Sequence, residues 1–211
     1  FGGILTSNQT IDIKVAEQIN KLFFEVLIAP NFSESALDLL KSKKNRIIIK
    51  LKSYPTNKLQ TRSCLNGVLE QDIDDKIEKF DDFKVVTKIS PNSTKSDDLV
   101  LASIIVKHTK SNCIAIVKNK QLIGSGMGQV SRIDALNQAI QKSKKFGFDL
   151  NESCLASDAF FPFSDCVEIS HSNNINSIVQ PGGSIKDQDS IDFCNKNGMS
   201  MVFSGIRHFR H

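Results

Sequence analysis

Short apolar runs rich in β-branched residues alternate along this chain with segments whose apolar residues recur at helical spacing, nearly from end to end. A chain patterned this way must layer helices on a sheet, which argues against a helical bundle and against a β-sandwich. The strand-like runs are 25–29, 46–51, 68–71, 84–87, 113–118, 121–125, 153–157, 177–180 and 199–203. The helical segments are 12–23, 33–41, 96–106, 129–146, 164–171 and 184–196. The turn-forming cluster Ser90-Pro91-Asn92-Ser93-Thr94 is the best linker candidate, dividing an N-terminal lobe, 1–90, from a C-terminal lobe, 91–211. The expected class is therefore α/β, with no internal repeat.

Composition narrows what such a fold could do. Hydrophobic residues at 40% and charged residues at 24% are ordinary globular values, which excludes disordered and collagen-like classes. Apolar stretches such as Val26-Leu27-Ile28-Ala29 fall far short of the roughly 18–20 residues of a membrane-spanning helix. Twenty-seven basic against 23 acidic residues leave a net charge of +4, too balanced for a generic polyanion binder but compatible with an anionic small molecule. With one Tyr, no Trp and no interleaving of aromatic and basic residues on a strand, RNA recognition is disfavoured and no nucleic-acid partner is expected. No Gly-x-Ser-x-Gly elbow or placed Cys/His partner is present, which disfavours a Ser or Cys hydrolase. Five cysteines without a Cys-x-x-Cys pair suit a reducing cytoplasm, and the opening Phe1-Gly2-Gly3 has neither an initiator Met nor a signal-peptide layout. The expectation is a cytoplasmic chain that is a piece of something longer.

Polar and glycine-rich clusters concentrate in the C-terminal lobe, where α/β ligands bind at strand ends and helix starts. Lys107-His108-Thr109-Lys110-Ser111-Asn112 separates a helix from an apolar strand. Gly124-Ser125-Gly126-Met127-Gly128-Gln129-Val130-Ser131-Arg132 leads from a strand into a helix. Its backbone amides could meet an anion, although it is not a dinucleotide fingerprint, and turn glycines are an equal alternative. Arg132 suits bidentate carboxylate or phosphate recognition. Ser157-Asp158-Ala159-Phe160-Phe161-Pro162-Phe163-Ser164-Asp165 puts three aromatics around a proline, either core packing for two of them or a wall for a planar heterocycle. In Pro181-Gly182-Gly183-Ser184, Ser184 and Asp187 stand in capping-box spacing. Arg207-His208-Phe209-Arg210-His211 closes the chain with an anion site at Arg207 or a basic tail as alternatives. The tract from Lys41 to Arg46 reads as a solvated helix end, not a patch.

Taken in order, Lys-x-Thr-x-Ser-Asn, Gly-x-Gly-x-Gly-Gln-x-Ser-Arg, Ser-Asp-Ala-Phe-Phe-Pro-Phe-x-Asp, Gln-Pro-Gly-Gly-Ser-Ile and Arg-His-Phe-Arg-His closely resemble the AICAR transformylase family. That family is the C-terminal half of a bifunctional purine biosynthesis enzyme whose N-terminal half is an IMP cyclohydrolase. Phe1-Gly2-Gly3-Ile4 resembles the family's Tyr/Phe-Gly-Gly-Ile stretch, and His211 falls where bacterial members end. The resemblance implies a three-layer α/β/α, cytidine-deaminase-like lobe with a mixed sheet. It implies a formyltransferase, moving a formyl group from 10-formyltetrahydrofolate to the 5-amino group of AICAR to give FAICAR in IMP biosynthesis. A noncatalytic nucleotide- and folate-binding domain is the alternative. It further implies a homodimer with active sites across the interface, a cyclohydrolase domain and transformylase lobe beyond this sequence, and no zinc. The chain agrees on zinc, lacking the deaminase His/Cys-x-Glu with a downstream Pro-Cys-x-x-Cys.

Residue by residue, the resemblance assigns Asn112 to the AICAR carboxamide as a supporting catalytic group, and Arg207 with the Phe209 backbone to the 5′-phosphate. Gln129, Ser131, Arg132 and Ile133 would line the nucleotide and folate sites. Phe160 and Pro162 would stack on the folate, Asp165 would accept from the pterin, and Ser184 would lie near it. Val106, Thr109, Ser111, Asp158 and the His208 carbonyl correspond to a potassium cage, where Cys113 stands in place of a serine seen in some members. The family's catalytic Lys-His would lie upstream of Phe1. Lys107-His108 aligns with a different motif, so no residue here is expected to act as the base and the chain alone is expected to be inactive.

Overall fold

Side chains that satisfy first-turn amides set where the helices begin. Asp12 Oδ1 accepts from Val15 N at 2.9 Å, Ser33 Oγ from Ala36 N at 3.3 Å, and Asn92 Oδ1 from Lys95 N at 2.9 Å. In the computed structural model, which describes residues 2–210, two units separate at Ile73/Asp74. Phe1 and His211, the ends of two of the motifs above, lie outside the described residues.

The first unit, residues 1–73, holds β1 (Gly3–Thr6), α1 (Ile13–Asn20), β2 (Phe24–Ala29), α2 (Glu34–Lys41) and β3 (Ile47–Lys50). The three strands pair in parallel in the order β1-β2-β3. Ala16, Leu27, Ala29, Ala36 and Leu40 form the core, with Leu5 and Ile48 packed against it. An antiparallel hairpin follows, β4 (Leu59–Cys64) and β5 (Gly67–Asp72), turning at Leu65 with φ 52°. β1 and β4 escaped the sequence reading: each is a short run with polar or glycine interruptions.

The second unit carries a six-stranded sheet, from β6 (Lys84–Val85), β7 (Ile114–Lys118), β8 (Gln121–Gly126), β9 (Ser153–Ser157), β10 (Ile175–Gln180) and β11 (Ser200–Phe203). Its order is β6-β11-β10-β9-β7-β8. β9, β10 and β11 are parallel, while β7 runs against both β8 and β9, and β6 runs against β11. Alternation along the strands feeds two cores. Ala115, Val117, Cys154 and Ala156 pack against Leu99, Ala102 and Val106 of α3 (Ser93–Lys107). Ile114, Ile116, Leu155 and Ile178 face the opposite way, toward α4 (Arg132–Lys145), α5 (Asp165–Ser172) and α6 (Asp187–Lys196), with Leu136, Ala139, Val167 and Cys194. The unit is a three-layer α/β/α sandwich on a mixed sheet, as expected.

The expected linker is displaced. Residues 90–94 begin α3, with Asn92 as its cap, and the chain before them already belongs to the second unit: β6 pairs with β11, and Phe83 packs under α3. Ser, Asn and Thr after a proline suit a helix start as well as a linker, and only pairing partners tell the two apart. Among the described residues, no helix is long and apolar enough to cross a membrane.

Candidate functional site

Because β7 runs against its neighbours, the carboxyl ends of β8, β9, β10 and β11 and the start of β7 meet at one edge of the sheet. All five polar clusters open there, at the edge where open α/β sheets bind ligands. The Thr109 to Cys113 stretch precedes β7, residues 127–131 follow β8, residues 158–164 follow β9, residues 181–186 follow β10 and residues 204–210 follow β11.

Arg132, at the first turn of α4, is committed inside the protein. Its Nη1 donates to Asp158 Oδ1 and to Ser157 Oγ at 2.9 Å, and its Nη2 donates to Asn112 Oδ1 at 2.9 Å. Asn112 Nδ2 in turn donates to the Gln129 carbonyl at 2.9 Å. The carboxylate that Arg132 grips within this chain is thus Asp158. What Arg132 does is fix the Asn112 amide and join three of the five segments. Asp158 is fully buried; its Oδ1 also accepts from Cys113 N at 3.1 Å, while its Oδ2 is buried with no hydrogen-bond partner among the described residues. Burial, and then the Asp158 charge, push the Cys113 thiol up to about 12, away from the thiolate form.

The glycine cluster also differs from one of its two readings. A Cβ on Gly124 would lie 2.3 Å from the Ala139 carbonyl oxygen, and one on Gly126 would lie 1.9 Å from that of Ala135. These glycines let β8 lie against α4. α4 starts at Arg132, not Gln129, with Ser131 Oγ accepting from Asp134 N at 3.1 Å. α6 likewise starts at Asp187, not Ser184, and Asp187 Oδ2 accepts from the amides of Gly183 at 2.7 Å and Ser184 at 3.1 Å. The Ser184 side chain accepts from Lys186 N at 3.1 Å and does not cap the helix. Ile133 packs its side chain on the core, leaving its backbone for the site.

The segment after β11 lies across this edge. His208 N donates to the Asp158 carbonyl at 3.0 Å, and Ser111 N donates to the Arg210 carbonyl at 2.8 Å while Ser111 Oγ accepts from Arg210 N at 2.9 Å. Between these anchors Arg207 is exposed, its guanidinium carbon 4.6 Å from the centroid of half-buried Phe160, beside Gly183. Among the described residues no carboxylate pairs with it. Gln180, buried at the end of β10, accepts from Phe161 N at 3.1 Å and Gly182 N at 3.3 Å, tying two of the loops together. Of the three aromatics only Phe161 is core; Pro162 and Phe163 are exposed, and Asp165 Oδ1 accepts from Cys166 N at 2.8 Å.

His208 itself is buried between two carboxylates, Nδ1 2.6 Å from Asp74 Oδ2 and Nε2 2.8 Å from Glu78 Oε1. Burial opposes its charging, yet hydrogen bonds from Glu78 and Asp74 outweigh it and raise the imidazole above its usual range. Lys107 is buried as well, its Nζ on the Lys76 carbonyl at 2.5 Å and 3.7 Å from Asp74. His108 is shifted down by burial and by the charges of Lys107 and Arg210. Asp74 and Glu78 were not singled out in the sequence, and Gln180 entered only as the first residue of the Gln-Pro-Gly-Gly-Ser-Ile motif. The two acids lie in an acidic stretch whose partner is about 130 residues away, and no local signal marks them.

With this edge described, the kinship of the chain is decisive. The family profile described as "AICARFT/IMPCHase bienzyme" matches residues 1–142. This chain belongs to the AICARFT/IMPCHase bienzyme family. Among the relatives of the bienzyme family, the bifunctional purine biosynthesis protein PurH of Bacteroides thetaiotaomicron is 54% identical over 211 residues, covering all of this chain and 42% of that one. PurH of Acetivibrio thermocellus is 47% identical over 215 residues, and that of Aquifex aeolicus 44% over 211; this chain covers 41% of each. The chain therefore spans about two fifths of the length of these bienzyme relatives. A deaminase/reductase structure from Thermotoga maritima is 15% identical, covers 51% of this chain and 36% of its own, and has a TM-score of 0.37, too slight a likeness to bear on fold or function.

Proposed function

We propose that this chain supplies the nucleotide- and folate-contacting part of an AICAR transformylase, which moves a formyl group from 10-formyltetrahydrofolate to the 5-amino group of AICAR, giving FAICAR and tetrahydrofolate. The observation that carries this reading is the exposed Arg207 guanidinium, stacked on Phe160 at the strand-end edge with no carboxylate partner among the described residues. A guanidinium held this way presents free N–H groups to a phosphate. The Phe160 ring and the neighbouring Pro162 offer apolar surface for a flat heterocycle, with Asp165 at the next turn as acceptor for pterin N–H groups. Asn112, its amide orientation set by Arg132 and Gln129, keeps one N–H and one lone pair for a carboxamide.

The AICAR amine is a weak nucleophile because its lone pair is conjugated, so the reaction needs alignment, removal of a proton and stabilisation of negative charge on the formyl oxygen. Lys107 is occupied by Lys76 and Asp74, which supports a base from outside this sequence. A monovalent cation fits the residues present. Asp158 Oδ2 is buried with no hydrogen-bond partner among the described residues, and Asp158 with Val106, Thr109, Ser111 and the His208 carbonyl would hold potassium there. Such an ion would supply charge compensation under the 204–210 segment. In this reading the assembly is a cytoplasmic homodimer.

Calorimetric titration with AICAR tests the reading. Replacing Arg207 by Ala removes a charged hydrogen-bond partner and should cost about 1.5–3 kcal/mol, weakening binding roughly ten- to hundredfold. Equal binding by the wild type and Arg207→Ala would refute the phosphate role, and turnover by the 211-residue chain alone would refute an outside base.

A further inference from the structure

Residues 204–210 carry Arg207 across the ligand edge, and they belong to no helix or strand. Hydrogen bonds must therefore hold them. At one end Ser204 N donates to the Gln180 carbonyl at 3.0 Å and Gly205 N to that of Pro181 at 3.1 Å; at the other, Arg210 is tied to Ser111. Between these ends stands His208, the one buried residue of the segment. Its backbone N–H rests on the Asp158 carbonyl, and each ring nitrogen meets a carboxylate, Nδ1 on Asp74 at 2.6 Å and Nε2 on Glu78 at 2.8 Å. A ring held at one nitrogen can swing about that contact. Held at both, its depth and its plane are set, and with them the backbone that continues into Arg207.

The acids are held in turn. Residues 73–79 also lie outside any helix or strand, and Lys107, buried at the last residue of α3, reaches into them with Nζ on the Lys76 carbonyl and 3.7 Å from Asp74 Oδ1. The chain of contacts thus runs from α3 through Lys107 to the acids, from the acids to His208, and from His208 to Arg207. Sinking the Lys107 ammonium, the His208 ring and the Glu78 carboxylate into the protein costs free energy that apolar side chains of the same volume would not. What the network sets is geometry. A guanidinium that meets a phosphate through paired N–H groups must be held to within roughly 0.5 Å, and Arg207, exposed and stacked on Phe160, has no such restraint from its own side chain.

We propose that Asp74 and Glu78 are positioning residues for Arg207: through the two ring nitrogens of His208 they hold the 204–210 segment so that the guanidinium stands over Phe160 to meet the 5′-phosphate. The ligand in this statement rests on the transformylase reading; the clamp does not. Glu78→Leu removes the buried acceptor while keeping much of its volume, Glu78→Gln keeps an acceptor oxygen, and Asp74→Ala alters the part-exposed acid alone. Each is titrated calorimetrically with AICAR and with its nucleoside, which lacks the phosphate. Glu78→Leu should weaken AICAR about tenfold, the lower end of what losing Arg207 itself costs, and Asp74→Ala about threefold. Glu78→Gln should recover most of the loss, nucleoside binding should not change, and Glu78→Leu should add nothing in an Arg207→Ala background. Unchanged AICAR binding in Glu78→Leu alongside a loss in Arg207→Ala overturns the proposal, as does equal weakening of AICAR and nucleoside. If Arg207→Ala binds AICAR as the wild type does, or neither binds, the phosphate reading fails instead and trypsin decides the clamp. Cleavage after Arg207 should then be at least about tenfold faster in Glu78→Leu, with cleavage after the inward-facing Arg132 unchanged. Equal rates at Arg207, or a rise at both arginines, overturn the clamp. Should Glu78→Leu fail to fold, Asp74→Ala carries both measurements.

Discussion

The six-stranded sheet of the second unit carries helices on both faces, whereas the three-stranded sheet of the first carries them on one. The same kind of residue therefore does different things in the two. Ile116, on β7, is fully buried under α4, while Ile49, on β3, looks outward. β-branched sequence specifies a strand; whether its side chains add stability depends on the layer above them. The contrast extends to charge. The second unit buries Arg132, Asp158, His208 and Glu78 in linked pairs, and the first places its lysines at the surface.

The largest effect that would break this comparison is expected at the buried pair. Asp158→Asn leaves Arg132 without its counter-charge and should cost about 3–5 kcal/mol in denaturant unfolding of the second unit. A loss below 1 kcal/mol would mean that water reaches the pair. Next, Ile116→Ala should cost about 2–5 kcal/mol. Ile49→Ala should stay within about 0.5 kcal/mol in this chain, and matching losses would show that the open face is covered after all.

A smaller effect concerns pH. His208 is raised in the folded state, so its contribution is fully present below the unfolded imidazole value of 6.5 and is lost as pH rises through the folded value. His108 is lowered, so its effect has the opposite sign: stability falls as pH drops below 6.5. The difference between wild type and His208→Asn should therefore shrink as pH rises from 6.5, measured by urea unfolding at each pH. The first unit has no histidine and should show no such dependence. Smallest, and read by Ellman's reagent on the native chain, one thiol should react promptly, the exposed Cys64. Burial pushes Cys113, Cys154, Cys166 and Cys194 up to about 12.

Periodicity made the six helices and most strands legible, because burial on one face imposes spacing that survives in a single sequence. The failures share a cause. The Pro91 cluster reads as a linker and proves to be a helix start, and Gly124 and Gly126 read equally as an anion-meeting segment or as turn glycines. Each ambiguity is resolved only by a partner distant in sequence: β11 for the segment before Pro91, Ala135 and Ala139 for the glycines. At the site, the motifs were visible as polar clusters, but which of their side chains are held by others in the chain, as Arg132 is by Asp158, was not.

By itself, then, the sequence determined the layer class, the helices and most of the strands that build it, the family, and the polar segments that gather at one sheet edge, since each follows from local pattern or motif order. The tertiary structure alone decided which charges are committed inward, Arg132 on Asp158 and His208 on Asp74 and Glu78, and which sheet face remains open. Those outcomes depend on contacts between residues far apart in the chain, and the energy of burying a charge or an apolar face is set by the partner that arrives, which no local spacing encodes.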